Sequence, residues 1–171
     1  PHFIVCAKTS WHGKLKDDTT ITKILSYGYG AVNTIVGDYT SDAAQRNAGL
    51  RYMARNGFDW AIIVDTDEFW EREKINILLQ DIKKYSAYVD AISAPNMHVY
   101  WKTWEDRIWP DPQPDNPIVA IKTNKEFTWS RLSEGTQRAQ TEADFHHLSY
   151  VRTDEEVREK MIISEHSHEF V

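Results

Sequence analysis

The chain has 171 residues, of which 41% are hydrophobic and 12% aromatic, a composition typical of one folded domain with a sizeable core. A formal net charge of -6 and the lack of any basic run argue against binding to nucleic acid. The single cysteine, Cys6, excludes an internal disulfide, and no apolar stretch approaches the roughly 20 residues that cross a bilayer. We therefore expect one cytoplasmic domain over residues 1–171, without a transmembrane segment.

Predicted strands and helices alternate in the first third of the chain. Apolar runs predict strands over 3–7 and 31–36, and a helix is predicted between them over 19–27. Ser41 is a good N-cap for a second helix, which we expect to end at about Arg55, before Asn56 and Gly57.

Residues 60–64 form an apolar run without alternation, which is typical of a central strand covered on both faces. Helical spacing then predicts an amphipathic helix packed on the sheet, with a buried stripe of Ile75, Leu78, Leu79 and Ile82. A further strand is predicted over 91–94.

Five of the six prolines lie between Pro95 and Pro117, so we expect this segment to be mostly loop that lines a site, with one strand over 99–101. Strands are predicted over 117–122 and 145–149, and Thr153 with Glu156 forms the capping-box pattern of a last helix. This order predicts an α/β fold with a mostly parallel sheet flanked by helices, and a ligand site at the carboxyl ends of its strands.

Four carboxylates follow the predicted central strand before any basic residue: Asp65, Asp67, Glu68 and Glu71. Two carboxylates about 5 Å apart repel by roughly 3 kcal/mol at an effective dielectric constant of about 20. Carboxylates that lie this close together therefore need a cation or a proton to reduce the repulsion. Asp65 and Asp67 lie on the same side of an extended backbone, and their oxygens suit Mg²⁺ or Mn²⁺.

Glycine-rich motifs that bind dinucleotides or phosphates are absent from the sequence.

The chain resembles the GT-A glycosyltransferases, particularly family 2-like enzymes. The resemblance rests on DTDEF at 65–69, on QRNAGL at 45–50, and on HLSYVR at 147–152, which is followed by Glu156, Lys160 and a terminal HSH at 166–168. The C-terminal motif is also similar to the bisecting N-acetylglucosaminyltransferases. The resemblance spans residues 3–168, nearly the whole chain.

This resemblance implies a GT-A-like domain that transfers a sugar from a nucleotide-sugar donor to a saccharide or other hydroxyl acceptor, with inversion. Asp67 would bind Mn²⁺ or Mg²⁺ directly, Asp65 would contact the ribose or approach the metal, and His147 would complete the metal's coordination. Arg46 and Asn47 would face the nucleotide.

An inverting transferase also needs a carboxylate that takes the proton of the acceptor hydroxyl. The candidates in the segment rich in proline and tryptophan are Glu105, Asp106, Asp111 and Asp115. Trp101, Trp104 and Trp109 either offer flat faces to a sugar ring or pack this segment onto the sheet.

Two other functions remain open from the sequence. The first predicted strand resembles the second strand of the GT-A family, so we expect the first β-α unit to be missing and the exposed sheet edge to favour a homodimer. A missing unit is consistent with a non-catalytic carbohydrate- or nucleotide-binding module derived from a glycosyltransferase. An apolar strand followed by D-x-D also resembles haloacid-dehalogenase-type phosphatases, although those enzymes carry the motif near their start.

Overall fold

The computed structural model describes residues 2–7, 32–107 and 116–163. The predicted helix over 19–27 and the candidates Trp109, Asp111 and Asp115 lie outside these ranges. The described helices are α1 (Asp42–Arg55), α2 (Arg72–Tyr85) and α3 (Asp154–Ile163). The described strands are β1 (His2–Ala7), β2 (Val32–Gly37), β3 (Trp60–Ile62), β4 (Glu68–Phe69), β5 (Ala91–Ser93), β6 (Met97–Trp101), β7 (Ile118–Lys122), β8 (Arg138–Gln140) and β9 (Phe145–Tyr150).

These strands form three sheets rather than one parallel sheet: one is a parallel pair, and the other two contain both parallel and antiparallel pairs. β1 pairs with β2, four strands follow the order β3-β7-β5-β8, and three follow the order β4-β9-β6. The pairs β1–β2, β5–β8 and β6–β9 are parallel, whereas β3–β7, β5–β7 and β4–β9 are antiparallel. The chain therefore has mixed α/β architecture, and the expectation of a mostly parallel sheet is wrong because an apolar run does not reveal the direction of its strand.

The four-stranded sheet contributes to two hydrophobic clusters. One contains Leu50 of α1 with Ile118 and Ile121, and the other contains Leu78 of α2 with Ile92 and Val119. The predicted central strand is instead at one end of the described sheet, as β3, whereas β7, buried from Ile118 to Ile121, lies inside it.

The helix boundaries follow the predicted capping residues. Ser41 Oγ accepts a hydrogen bond of 3.1 Å from the Ala44 N–H at the start of α1, and Gly57, with a φ of 78°, follows its end. At the start of α3, the Thr153 N–H donates to Glu156 Oε2 at 2.9 Å, and the Glu156 N–H donates to Thr153 Oγ1 at 3.3 Å.

Two details differ from the predicted pattern. Leu79 of α2 is exposed, so the buried stripe of this helix is narrower than its apolar spacing indicated. β6 is a full strand of the three-stranded sheet, so the proline-rich segment builds part of the fold as well as loops. Among the described residues, none of the helices is both long and apolar enough to cross a bilayer.

Candidate functional site

The acidic motif lies in a tight turn between β3 and β4. The Glu68 N–H donates to the Asp65 carbonyl at 3.0 Å, and the Leu148 N–H of β9 donates to the Asp67 carbonyl at 2.7 Å. The antiparallel pairing of β4 with β9 places Glu68 opposite His147. The turn is thus fixed to β9, and the side chain of Asp67 lies beside that of His147.

Asp67 and His147 form the centre of the candidate site. His147 Nε2 is 3.7 Å from Asp67 Oδ1, and each side chain is 20% exposed. Burial disfavours the charged form of Asp67, but His147, when protonated, and Lys160 outweigh this effect and lower the pKa of Asp67 to about 2. Burial lowers the pKa of His147 below its usual value. At neutral pH the pair is therefore a carboxylate and a neutral imidazole, the forms that bind divalent cations.

A cationic side chain holds the other oxygen of Asp67. Lys160 Nζ of α3 is 2.9 Å from Asp67 Oδ2 and also donates to Ser149 Oγ. The Ser149 hydroxyl in turn donates to Asp67 Oδ2 at 3.0 Å. The C-terminal motif had included Ser149 and Lys160, but sequence reasoning gave them no role in the site.

Asp65 is held by two guanidinium groups. Arg46 Nη1 is 2.9 Å from Asp65 Oδ1, Arg46 Nη2 donates to Oδ2 at 3.0 Å, and Arg131 Nη2 lies 3.1 Å from Oδ2. Burial opposes ionisation of Asp65, but the charges of Arg131 and Arg46 outweigh it and hold its pKa below the usual value. This differs from the expected metal or ribose contact, because both carboxylate oxygens already have protein partners.

Glu68 and Arg131 form a second buried ion pair under the turn. Glu68, whose side chain is 1% exposed, lies 2.6 Å from Arg131 Nη2 and accepts a hydrogen bond of 3.1 Å from the Asp65 N–H. Sequence reasoning did not place Arg131 in the site. The sequence feature that could have indicated such a residue is the acidic run itself, because three carboxylates within four residues require counter-charges from elsewhere in the chain.

The protein itself supplies counter-charges to the acidic cluster, for which the sequence predicts a divalent cation. Arg46, Arg131 and Lys160 supply positive charge to the turn. Glu71 is half exposed, and its Oε1 is 3.8 Å from Nε2 of His146, the neighbour of His147 on β9. Charge repulsion within 65–71 therefore does not by itself call for a divalent cation here.

Asn47 lies in the core rather than at a nucleotide-facing surface. Its Nδ2 donates to the Phe127 carbonyl at 2.9 Å, and the Phe127 N–H donates to its Oδ1 at 2.8 Å. The side chain is buried, so its amide anchors α1 to the segment that carries Arg131. This corrects the expectation that Asn47 faces the nucleotide.

The predicted catalytic bases Glu105 and Asp106 are exposed in the turn that follows β6. Thr103 Oγ1 donates to Asp106 Oδ2 at 3.0 Å and accepts a hydrogen bond of 3.2 Å from the Glu105 N–H. These contacts are local to the turn. Trp101 packs against Tyr150, with ring centroids 5.8 Å apart, whereas Trp104 is exposed.

Within the described residues, no three His, Cys, Asp or Glu side chains are grouped so that they could hold a metal ion. Asp67 and His147 thus offer a pair of donors, one oxygen and one nitrogen. The chain matches no model of a protein family, and no curated protein is significantly similar to it.

Proposed function

We propose that the protein is a glycosyltransferase, which moves a sugar from a nucleotide-diphosphate donor to the hydroxyl group of a saccharide or other acceptor with Mn²⁺ or Mg²⁺ as cofactor. The observation that carries the proposal is the 3.7 Å approach of His147 Nε2 to Asp67 Oδ1. These two residues come from two of the three motifs that resemble the GT-A glycosyltransferases, and they are far apart in the sequence.

The donor set suits a cation that binds phosphates. Mg²⁺ and Mn²⁺ are commonly held by few protein groups and complete their coordination with water and substrate phosphate oxygens. The imidazole of His147 favours Mn²⁺ over Mg²⁺, which prefers oxygen ligands. A cation bound there would neutralise the charge that develops on the departing diphosphate.

The protein's own residues prepare this site. Lys160 adds an ammonium group beside Asp67, so a diphosphate next to this carboxylate would meet positive charge from the protein as well. Arg46 and Arg131 hold Asp65 and Glu68 and thereby fix the turn that presents Asp67.

The same contacts argue against the phosphatase alternative. That chemistry requires the first aspartate of the motif to attack phosphorus, and both oxygens of Asp65 are paired with guanidinium groups. Guanidinium groups on both oxygens stabilise the negative charge of this carboxylate and make it a weaker nucleophile.

Isothermal calorimetry with UDP, GDP, CMP and dTDP and their sugar conjugates, with and without Mn²⁺, tests the proposal. We expect one nucleotide to bind at least tenfold more tightly with Mn²⁺, and we expect Asp67→Asn and His147→Gln to abolish this gain. Release of the free nucleotide from the matching sugar donor on addition of acceptors would then report transfer.

Glu142→Gln is the matched control, because Glu142 is an exposed acid outside the turn. It should bind the nucleotide and Mn²⁺ as the wild type does. Nucleotide binding that ignores Mn²⁺, or that survives unchanged in Asp67→Asn, contradicts the proposal, as does the absence of binding by every nucleotide in the set.

A further inference from the structure

The three-stranded sheet has a second face, which does not carry the Asp67–His147 pair. Adjacent residues of a strand point to opposite faces, so Phe69 of β4 and His146 of β9 lie on the side away from Glu68 and His147. His98 of β6 is the register partner of His146 and belongs to the same side.

Two exposed aromatic rings meet on this face. The rings of Phe69 and Trp104 are 6.1 Å apart between centroids and nearly perpendicular, at 86°, and the side chains are 49% and 51% exposed. The imidazole of His146 lies 6.0 Å from each ring. The pair is therefore an ordered edge-to-face arrangement that keeps half of its surface open to solvent.

Polar groups border these rings. Tyr100 is buried, and its hydroxyl group is hydrogen-bonded to His146 Nδ1 at 2.8 Å. The half-exposed carboxylate of Glu71 lies 3.8 Å from His146 Nε2. The face thus combines an apolar surface with a carboxylate and an imidazole at its edge.

The open area is small. Aromatic side chains of this size bury roughly 150–250 Å² each, so two half-exposed rings offer roughly 200 Å². A stable protein–protein interface needs about 800 Å² from each partner, which is far more than this pair supplies. The area and the bordering polar groups match a sugar ring, whose C–H face covers an aromatic ring while its hydroxyl groups reach polar side chains.

We infer that Phe69, Trp104, Glu71 and His146 form a binding site for a pyranose ring of a saccharide, on the face of the small sheet opposite to the Asp67–His147 pair. The site needs neither a nucleotide nor a metal ion. It is therefore independent of the proposed transferase activity, and an experiment can reject either proposal without rejecting the other.

The test follows the indole N–H signal of Trp104 by NMR in the intact chain, in EDTA, during titration with maltotriose, cellotriose and tri-N-acetylchitotriose. We expect at least one trisaccharide to shift this signal in a saturable manner. Isothermal calorimetry measures the affinity of the variants, because Trp104→Ala removes the NMR reporter, and both Trp104→Ala and Phe69→Ala should weaken the binding of that trisaccharide at least tenfold. Tyr88→Ala removes an aromatic ring that is 75% exposed elsewhere and should leave the binding unchanged.

Several results would overturn the inference. One is that none of the three sugars shifts the signal. Another is that Tyr88→Ala weakens binding as much as Trp104→Ala does. Binding that requires Mn²⁺ and disappears in Asp67→Asn would assign the sugar to the other face. A wild-type dimer in sedimentation velocity that becomes monomeric in Trp104→Ala would show that a second copy of the chain covers the rings. The wild-type titration needs no substitution, so a variant that fails to fold does not prevent the test.

Discussion

Asp67 in the turn after β3 and Lys160 on α3 form an ion pair of 2.9 Å that ties the acidic motif to the C-terminal helix. Any cation that approaches this carboxylate shares it with the ammonium group of Lys160. The ion pair therefore links the position of α3 to the electrostatics of the candidate site.

Lys160→Met should strengthen the binding of Mn²⁺ about fivefold, because a partly exposed ion pair contributes up to about 1 kcal/mol and the variant removes this competing charge. Titration followed by electron paramagnetic resonance of free Mn²⁺ measures the dissociation constant. Lys125→Met, which removes an ion pair with Asp90, should leave the constant unchanged. Weaker Mn²⁺ binding in Lys160→Met would show that the lysine does not compete for the carboxylate.

Arg131→Met should lower the free energy of unfolding by about 3–5 kcal/mol, because it leaves the buried Glu68 and the neighbouring Asp65 with less counter-charge. Urea denaturation followed by circular dichroism measures this loss. Arg51→Met is the control, since Arg51 and Glu126 form an exposed pair and the change should be below about 1 kcal/mol. Equal stability of the two variants would mean that the ion pair under the turn contributes little.

Asn47→Ala should lower the free energy of unfolding by about 2–3 kcal/mol, because both backbone groups of Phe127 lose their hydrogen-bond partner in the core. The affinity of the folded variant for nucleotide should stay within about twofold of the wild type, since we place Asn47 away from the ligand. Calorimetry at a temperature well below the unfolding transition separates these effects. A stable variant with a large loss of nucleotide affinity would restore the nucleotide-facing role.

Asp144→Asn should flatten the dependence of stability on acidic pH. Burial opposes ionisation of Asp144, but hydrogen bonds from Lys74 and His98 outweigh it and lower its pKa. A lowered pKa in the folded state means that the ionised group stabilises the fold above the unfolded pKa of about 3.9, and that this stabilisation is lost as the pH falls through the folded pKa.

Urea denaturation at pH values of about 6, 4 and 3 measures the effect. The wild type should lose more stability than Asp144→Asn between the upper and lower values, and Glu142→Gln should follow the wild type. Parallel curves for the wild type and Asp144→Asn would exclude the contribution of this carboxylate.

Short-range signals predicted the local structure well. Ser41 and the Thr153–Glu156 box act within four residues of their own position, so the sequence alone located the starts of α1 and α3. Strand direction and order depend on distant pairing, and for that reason the position of β3 at one end of the described sheet and its antiparallel pairing with β7 could not be predicted. β4 has two residues, which is too short for any periodicity to appear.

The sequence likewise predicted some residues of the candidate site and not others. The resemblance led to Asp67 and His147, which the structure brings together. Lys160 belongs to the C-terminal motif but had no role assigned to it, and Arg131 comes from a loop outside the motifs. A count of charges in 65–68 indicates that distant cations are needed, but it does not identify them.

The register of β4 against β9 pairs Glu68 with His147 and Phe69 with His146. Since neighbouring residues face opposite ways, a slip by a single position would send His146 to the acidic turn and His147 to the aromatic rings. Deleting one residue between β3 and β4 would therefore damage both surfaces at once, so the length of this short connection constrains both proposed sites.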